Sequence, residues 1–345
     1  MVGPEQRSRR RPRLLVFLSE ILSANTLVPI LRQVRREGAF ALDIVNDGFC
    51  REFVESLGLP VEYAVDNFAE VVGHKLRGAS LVLMGKSYVQ RSEYELLEEA
   101  ALQRVPVLMV VPDMGLDVVR AKLSGIQPPW PVLLLADERT AGALPELGVP
   151  RGQIVLMGNP YFDELYAQLG ADASAWDGEG LGYFSTPFEL DFQRGILPAD
   201  YPQRRFVLDL ADAAERLGQP LMAKRHPQVS LDHFRGLSLF EGTPLGMIRR
   251  IRVALGSYST TLLEAYAAGV PTISYQPWKR LIRKDVFEGR IPIVRTPAQL
   301  AQAVSSALHV PRRAPVAVTA NPGRSLQEAM RQVRRWAGHR WGMAL

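Results

Sequence analysis

From Arg13 onward, short apolar runs alternate with longer amphipathic segments, and after one break the alternation begins again. A run that is apolar at every position is buried on both faces, as a parallel strand covered by helices must be; the segments between carry the helical period. In the first half the strand-like runs are Leu14–Leu18, Ala41–Val45, Leu81–Met84, Val107–Val111, Val132–Ala136 and Ile154–Met157. Helices are predicted between them, for example Thr26–Arg36 and Glu93–Gln103. In the second half the runs are Leu181–Ser185, Pro220–Ala223, Val253–Leu255 and Thr272–Tyr275, with helices such as Arg205–Leu217 and Thr261–Ala268. Gln299–Leu308 and Ser325–Trp336 close the chain as helices. The break, Gly170–Gly180, has three glycines and no apolar period, and reads as a linker. At 345 residues the chain exceeds what one hydrophobic core commonly supports. The expected fold is α/β, with two successive Rossmann-like domains. The expected layout is a basic tail over 1–13, an N-terminal domain over 14–169, a linker over 170–180 and a C-terminal domain over 181–322. A final helix in 323–345 can pack back on the first domain.

Composition narrows the function classes. A chain 47% hydrophobic and 22% charged can bury a core, so wholesale disorder is excluded. Cys50 is the single cysteine, so no internal disulfide forms, and no Cys/His cluster has metal-ligand spacing. A reducing cytoplasm is expected. No apolar run reaches the roughly 20 residues of a membrane span, and Leu14–Leu18 is too short and too closely flanked by charge for a signal peptide. Arg7, Arg9, Arg10, Arg11 and Arg13 make the tail basic. Such a tail is either a solvated terminus or a weak peripheral contact with anionic lipid at the inner face of the membrane. The net charge of +5 suits an anionic ligand. No basic stretch interleaves with aromatics, which disfavours nucleic acid.

Three segments concentrate chemistry. In Val253–Pro271 a strand ends at Gly256 and a helix begins near Thr261, so Ser257, Ser259, Thr260 and Thr261 crowd a helix N-terminus. Backbone N–H groups and hydroxyls there favour a phosphate, and Glu264, one turn on, can accept from ribose hydroxyls. The plainer alternative is helix capping, with Gly269 as the C-terminal cap before Pro271. Lys224, Arg225 and His226 follow the run Pro220–Ala223 directly, where an open parallel sheet presents its ligand crevice. Two cations and an imidazole there can neutralise a phosphate diester or diphosphate, although a short basic pair is commonly a solvated edge. Ser19-Glu20 follows the first strand, with Asn25 and Thr26 opening the next helix. A carboxylate at that strand end is placed to take a proton from an acceptor hydroxyl. Asp113, after Val107–Val111, is the second candidate base; Asp137-Glu138 and Gly158-Asn159-Pro160 with Asp163 are ordinary loop chemistry. His74, His233, His309 and His339 have no comparable setting. No GxGxxG, Walker A, HExxH or GxSxG pattern occurs, which counts against NAD enzymes, P-loop NTPases, zinc proteases and serine hydrolases.

Taken in order, these pieces resemble the glycosyltransferase B enzymes, most closely the Kdo transferases of lipopolysaccharide synthesis and, less closely, the hydrolysing UDP-N-acetylglucosamine 2-epimerases. Ser19-Glu20 is similar to the base-bearing first loop of the Kdo transferases. Leu81–Gly85 with Arg104-Val105-Pro106-Val107 resembles their second strand pair. Leu147-Gly148-Val149 through Asp163 is similar to the end of the first domain in both groups. Arg225-His226-Pro227 resembles the nucleotide-contacting His-Pro motif, and Gly256-Ser257 through Glu264-Ala265 the nucleotide loop and helix. The His-x-Glu-Ala-Gly and Glu-Glu-x-x-Arg motifs of the epimerases are absent, and Ser-Tyr-Ser-Thr-Thr replaces the glycine-rich motif of the Kdo transferases. The resemblance implies two domains facing across a cleft, acceptor bound by the first and nucleotide by the second. It implies transfer of a sugar from a nucleotide donor to a glycan or lipid-linked acceptor. Glu20 or Asp113 would act as base and His226 at the leaving phosphate. Lys224, Arg225, Ser257, Ser259, Thr260, Thr261 and Glu264 would hold the nucleotide. No cofactor is expected. No Asp-x-Asp motif is present to hold a divalent ion, so metal-independent turnover is expected. The competing readings are a sugar-nucleotide epimerase or hydrolase, and a non-catalytic nucleotide-sugar-binding protein.

Overall fold

The computed structural model describes residues 11–48, 51–86, 91–112, 114–171, 178–193, 195, 197 and 201–339. The basic tail up to residue 10, Cys50, the candidate base Asp113 and residues 172–177 of the expected linker lie outside the described residues. The chain divides into two compact units. The first comprises the described residues of Met1–Pro112, Lys122–Tyr161 and Gly323–Leu345; the second comprises those of Asp113–Ala121 and Phe162–Pro322. This division is not the contiguous one the linker suggested. The start of the helix Leu116–Leu123 goes with the second unit because Leu116 N–H donates to Asp285 Oδ2 at 2.9 Å and Arg283 N–H to Asp117 Oδ2 at 3.1 Å. The helix Pro160–Ala171 is tied to the same unit where Val318 N–H donates to the Tyr166 hydroxyl.

The first unit is built on a seven-stranded, wholly parallel sheet: β1 (Arg13–Phe17), β2 (Ala41–Asn46), β3 (Val61–Tyr63), β4 (Leu81–Gly85), β5 (Val107–Val111), β6 (Val132–Leu135) and β7 (Ile154–Leu156). Their order is β3-β2-β1-β4-β5-β6-β7, with Leu14 in register with both Leu42 and Leu81. Every residue of β4 and of β6 is buried, as their continuous apolar runs require. The helix Ile21–Glu37 and the last helix, Ser325–His339, cover one face. Ala329, Met330, Val333 and Ala337 enter the same core cluster as Leu14, Leu27, Ile30 and Leu81, and Arg334 pairs with Glu37.

The second unit has six parallel strands: β8 (Leu181–Phe184), β9 (Leu221–Lys224), β10 (Ser238–Leu239), β11 (Val253–Gly256), β12 (Thr272–Tyr275) and β13 (Ile293–Val294). Their order is β10-β9-β8-β11-β12-β13. Both units are therefore Rossmann-like. In each, the chain builds outward from the first strand and then returns to its other side, so the order reverses between β1 and β4 and again between β8 and β11. At such a reversal the loops leave the carboxyl edge in opposite directions and open a crevice. Among the described residues, no helix is long and apolar enough to cross a membrane.

Candidate functional site

In the second unit the loops at the reversal are pinned to one another. β8 runs into Ser185 and Thr186, both under a tenth exposed. Ser185 Oγ accepts from the backbone N–H of His226, and Ser257 Oγ donates to Thr186 Oγ1 at 2.9 Å. The loop after β9 and the loop after β11 are thus both fastened to the end of the first strand. The apolar run Leu181–Ser185 holds this signal, since its last residue is polar where the strand should end.

The three residues expected to bind phosphate after β9 have different settings. The strand continues one residue further than its apolar run, so Lys224 is its last residue, and Nζ reaches the Phe240 carbonyl at 3.4 Å. Arg225 turns one guanidinium nitrogen onto the carbonyls of Pro227 and Val229, both at 3.0 Å, and so shapes its own loop. His226 is half-buried, and its Nδ1 accepts from the Gln228 N–H at 3.3 Å. An accepting Nδ1 puts the proton of the neutral ring on Nε2, which is then a donor.

The helix Thr260–Ala267 begins where the sequence placed it, and the capping reading accounts for part of its hydroxyl-rich entry. Ser259 is the N-cap, its Oγ accepting from Thr261 N–H at 3.2 Å. Ser257 is held through its hydroxyl by Thr186 and through its carbonyl by the Ser274 hydroxyl. Thr260 Oγ1 accepts from Arg283 at 2.8 Å. These hydroxyls fix the shape of the turn, and the helix opens with its positive end at this loop. Thr261 is partly exposed on that turn, and Glu264, one turn further, is buried. At the other end, Gly269 takes a φ of 76°, and a Cβ there would lie 2.0 Å from the Arg313 carbonyl oxygen, so only glycine fits. Arg312 donates to the Ala268 carbonyl, and burial brings its guanidinium down to about 10.

Arg283 is the main residue that motif reasoning missed. It is 6% exposed and holds a left-handed φ of 54°, which costs an L-residue free energy unless its surroundings fix it. They do. Gln276 accepts from Ile282 N–H at 2.7 Å and donates to the Ile282 carbonyl at 3.0 Å and to Ser274 Oγ at 2.9 Å. A continuous hydrogen-bonded ring therefore runs from Ser257 through Ser274, Gln276 and Ile282 to Arg283, whose guanidinium returns to Thr260. The cation-rich run Trp278–Lys284 after β12 was the available signal. Behind this edge, burial and then the hydrogen bond to Asp209 hold the Tyr275 hydroxyl far above its ordinary range.

In the first unit, Glu20 lies at the reversal between β1 and β4. The helix Ile21–Glu37 starts immediately after it, earlier than the expected opening at Asn25 and Thr26. Glu20 is its N-cap in extended conformation, and Thr26 lies buried in the second turn, bonded to Leu22 and Asn159. Glu20 Oε1 accepts from Ser23 Oγ at 3.1 Å and from Lys122 Nζ. Lys122 also donates to the Lys86 carbonyl at 3.0 Å, and Lys86 forms an ion pair with Glu93 at 2.7 Å in which both side chains are fully buried. Gly85 makes this cluster possible, because a Cβ there would lie 2.1 Å from Ser23 Cβ. Asp137 caps the helix Glu138–Ala143 through Thr140 N–H, and Asn159 accepts from Thr26 and Tyr161, so both are structural. Among the described residues, no group of three or more His, Cys, Asp or Glu side chains could hold a metal ion.

The sequence matches no family model and no curated relative. Solved structures share its fold over nearly the whole chain. The UDP-GlcNAc 2-epimerase of Methanocaldococcus jannaschii, in complex with UDP-GlcNAc and UDP, has a TM-score of 0.69 at 15% identity, covering 94% of this chain and 99% of that one. The Neisseria meningitidis epimerase bound to UDP-GlcNAc gives 0.70 at 12% identity, over 94% and 100%. Anabaena HepE, in complex with UDP and glucose, gives 0.59 at 12% identity, over 93% and 98%. The fold is that of the glycosyltransferase B enzymes and of these epimerases, as the resemblance implied.

Proposed function

We propose that this chain is an enzyme of nucleotide sugars, which binds a nucleoside-diphosphate sugar through its second unit and transfers the sugar to an acceptor hydroxyl. The observation that carries this reading is a hydrogen-bonded frame at the β8/β11 reversal to which three sets of donors are tied. They are the N-terminus of the helix Thr260–Ala267, the buried guanidinium of Arg283 and the Nε2 donor of His226. Donors fixed before the ligand arrives need no reorganisation as charge develops on the departing phosphate, which is the efficient form of electrostatic catalysis. UDP and UDP-sugars in proteins of this fold support the same ligand class.

In this account Glu264 takes the ribose hydroxyls, Lys224 adds positive potential, and Arg225 maintains the loop that presents His226. Glu20, oriented by Ser23 and Lys122, accepts the proton of the acceptor hydroxyl as the new bond forms. Asp113 is the alternative base. The cations and the helix N-terminus neutralise the diphosphate, so turnover proceeds without a divalent metal. The acceptor is a glycan or lipid-linked hydroxyl, and the setting is cytoplasmic.

A second reading, epimerisation or hydrolysis of the sugar nucleotide, is favoured by the 2-epimerases among the proteins of this fold. The missing acidic motifs weigh against it. Product analysis separates the readings. Incubation with UDP-GlcNAc and candidate acceptors in EDTA should release UDP only when acceptor is present. UDP with the 2-epimer, formed without acceptor, would establish the epimerase instead. Tight binding with no turnover under any acceptor would establish a binding protein.

A further inference from the structure

The first sheet carries a second concave surface at its other end. Strands β5 and β6 are parallel, so the residues that precede them lie at the amino-terminal edge, opposite the edge that bears Glu20 and Lys86. There a cavity of about 460 Å³ opens, walled by Pro106, Val107, Pro129, Trp130 and Trp336, with Arg104 among its lining residues. That volume is in the range of ligand pockets, roughly 300–1,000 Å³. Trp336 comes from the last helix, which places a second indole on the same cavity as Trp130.

The chemistry of these walls selects a ligand class. The lining contains no carboxylate. Arg104 is exposed and makes no ion pair among the described residues, and the exposed guanidinium of Arg335 lies 5.8 Å from the Trp336 ring centroid. Arg104 also holds a φ of 54° at the end of the helix Arg91–Leu102, a position glycine would occupy without strain. Leu102, two residues earlier, is 78% exposed. Two indoles and an exposed guanidinium on a cavity of mixed polar and apolar lining, with Leu102 and Arg335 next to lining residues in the chain, are the groups that settle at a bilayer interface, with cations drawn to anionic head groups. Both β5 and β6 are hydrogen-bonded on both sides, so no strand edge is open here for a peptide to extend the sheet.

We propose that this cavity takes an acyl chain of an anionic membrane lipid, with Arg104 and Arg335 at its phosphate, making the first unit a peripheral membrane-binding surface. This inference is independent of the nucleotide-sugar reading. The test uses the full chain with phosphatidylcholine vesicles, alone and mixed in equal parts with phosphatidylglycerol, in low salt. Co-sedimentation should occur with the mixed vesicles only, and Arg104→Glu should lower the partition coefficient by about tenfold or more. Leu102→Glu should weaken it too; both residues are exposed, and circular dichroism would verify the fold of each variant. Lipids brominated along the acyl chain should quench tryptophan emission in the wild type, and the quenching should disappear in the Trp130→Phe/Trp336→Phe double variant. Absence of binding, binding undiminished in Arg104→Glu and Leu102→Glu, or quenching that survives the double variant would each overturn the proposal. Loss of binding on replacing Arg7, Arg9 and Arg10 by Gln, with Arg104→Glu silent, would assign the contact to the tail and overturn it as well. A dimer in light scattering that Trp130→Ser dissociates, without vesicle binding, would give the cavity to a second copy of the chain.

Discussion

At His226 the location of one proton decides what the residue can do. With Nδ1 accepting from Gln228, the neutral ring carries its proton on Nε2, the form that can donate to a phosphate oxygen. His226→Ala should therefore weaken UDP binding about 10- to 100-fold in isothermal titration, the range for one hydrogen bond to a charged group, while the melting temperature changes little. An unfolded variant would mean the imidazole is structural. Glu20→Gln should leave UDP affinity unchanged and lower transfer about 10²- to 10⁴-fold; if Asp113→Asn does this instead, the base is Asp113. Lys86 and Glu93 form a pair wholly removed from water, so Lys86→Met strands a carboxylate and should cost about 3–5 kcal/mol in denaturant unfolding. Of these residues, the positions of His226 and Glu20 in loops at strand ends were legible because each stands shortly after an apolar run. Lys122 and Arg283 were not, because their partners stand 102 and 23 residues away, and no local pattern encodes such a meeting.

Elements were legible in proportion to their burial. Strands β1, β4, β5, β6, β8 and β11 are buried along nearly their whole length and appear in the sequence as apolar runs. β3, β10 and β13 lie at sheet edges, span two or three residues and are at most partly buried, so they leave no run to read. The helix Ile21–Glu37 starts earlier than Asn25 and Thr26 suggested because Glu20, not a small polar residue, is at its cap. Its docking on the last helix has a pH signature. Burial alone would raise the Glu37 carboxyl, but hydrogen bonds from Arg334 and Gln33 outweigh it and hold the group below its ordinary 4.5. Within the last helix, Glu328 is lowered in the same way, burial being outweighed by Arg331 and Gln332. A carboxyl lowered in the folded state contributes stability that is fully present above the ordinary value and lost as pH falls through the folded one. Amide exchange in Ser325–His339 should therefore accelerate selectively below about pH 4.5, ahead of exchange in β4. Uniform acceleration across both would contradict this.

For the molecule as a whole, a formal charge of +5 over two Rossmann-like units fits an anionic substrate, and binding of a nucleoside diphosphate should weaken as salt is raised. The fold followed from the repeated alternation of runs, since two parallel sheets leave few other arrangements. The proposed site was less open to reading: the reversal of strand order identifies the carboxyl edges, but which hydroxyls build the frame depends on packing. Whether the β8/β11 reversal is a diphosphate site is tested most directly by a crystal structure of the chain soaked with UDP. Phosphate density is expected against the first turn of the helix Thr260–Ala267, within hydrogen-bond reach of His226 Nε2 and the Arg283 guanidinium, with the ribose toward Glu264. Phosphates bound elsewhere on the chain, or no UDP bound at millimolar concentration, would contradict it.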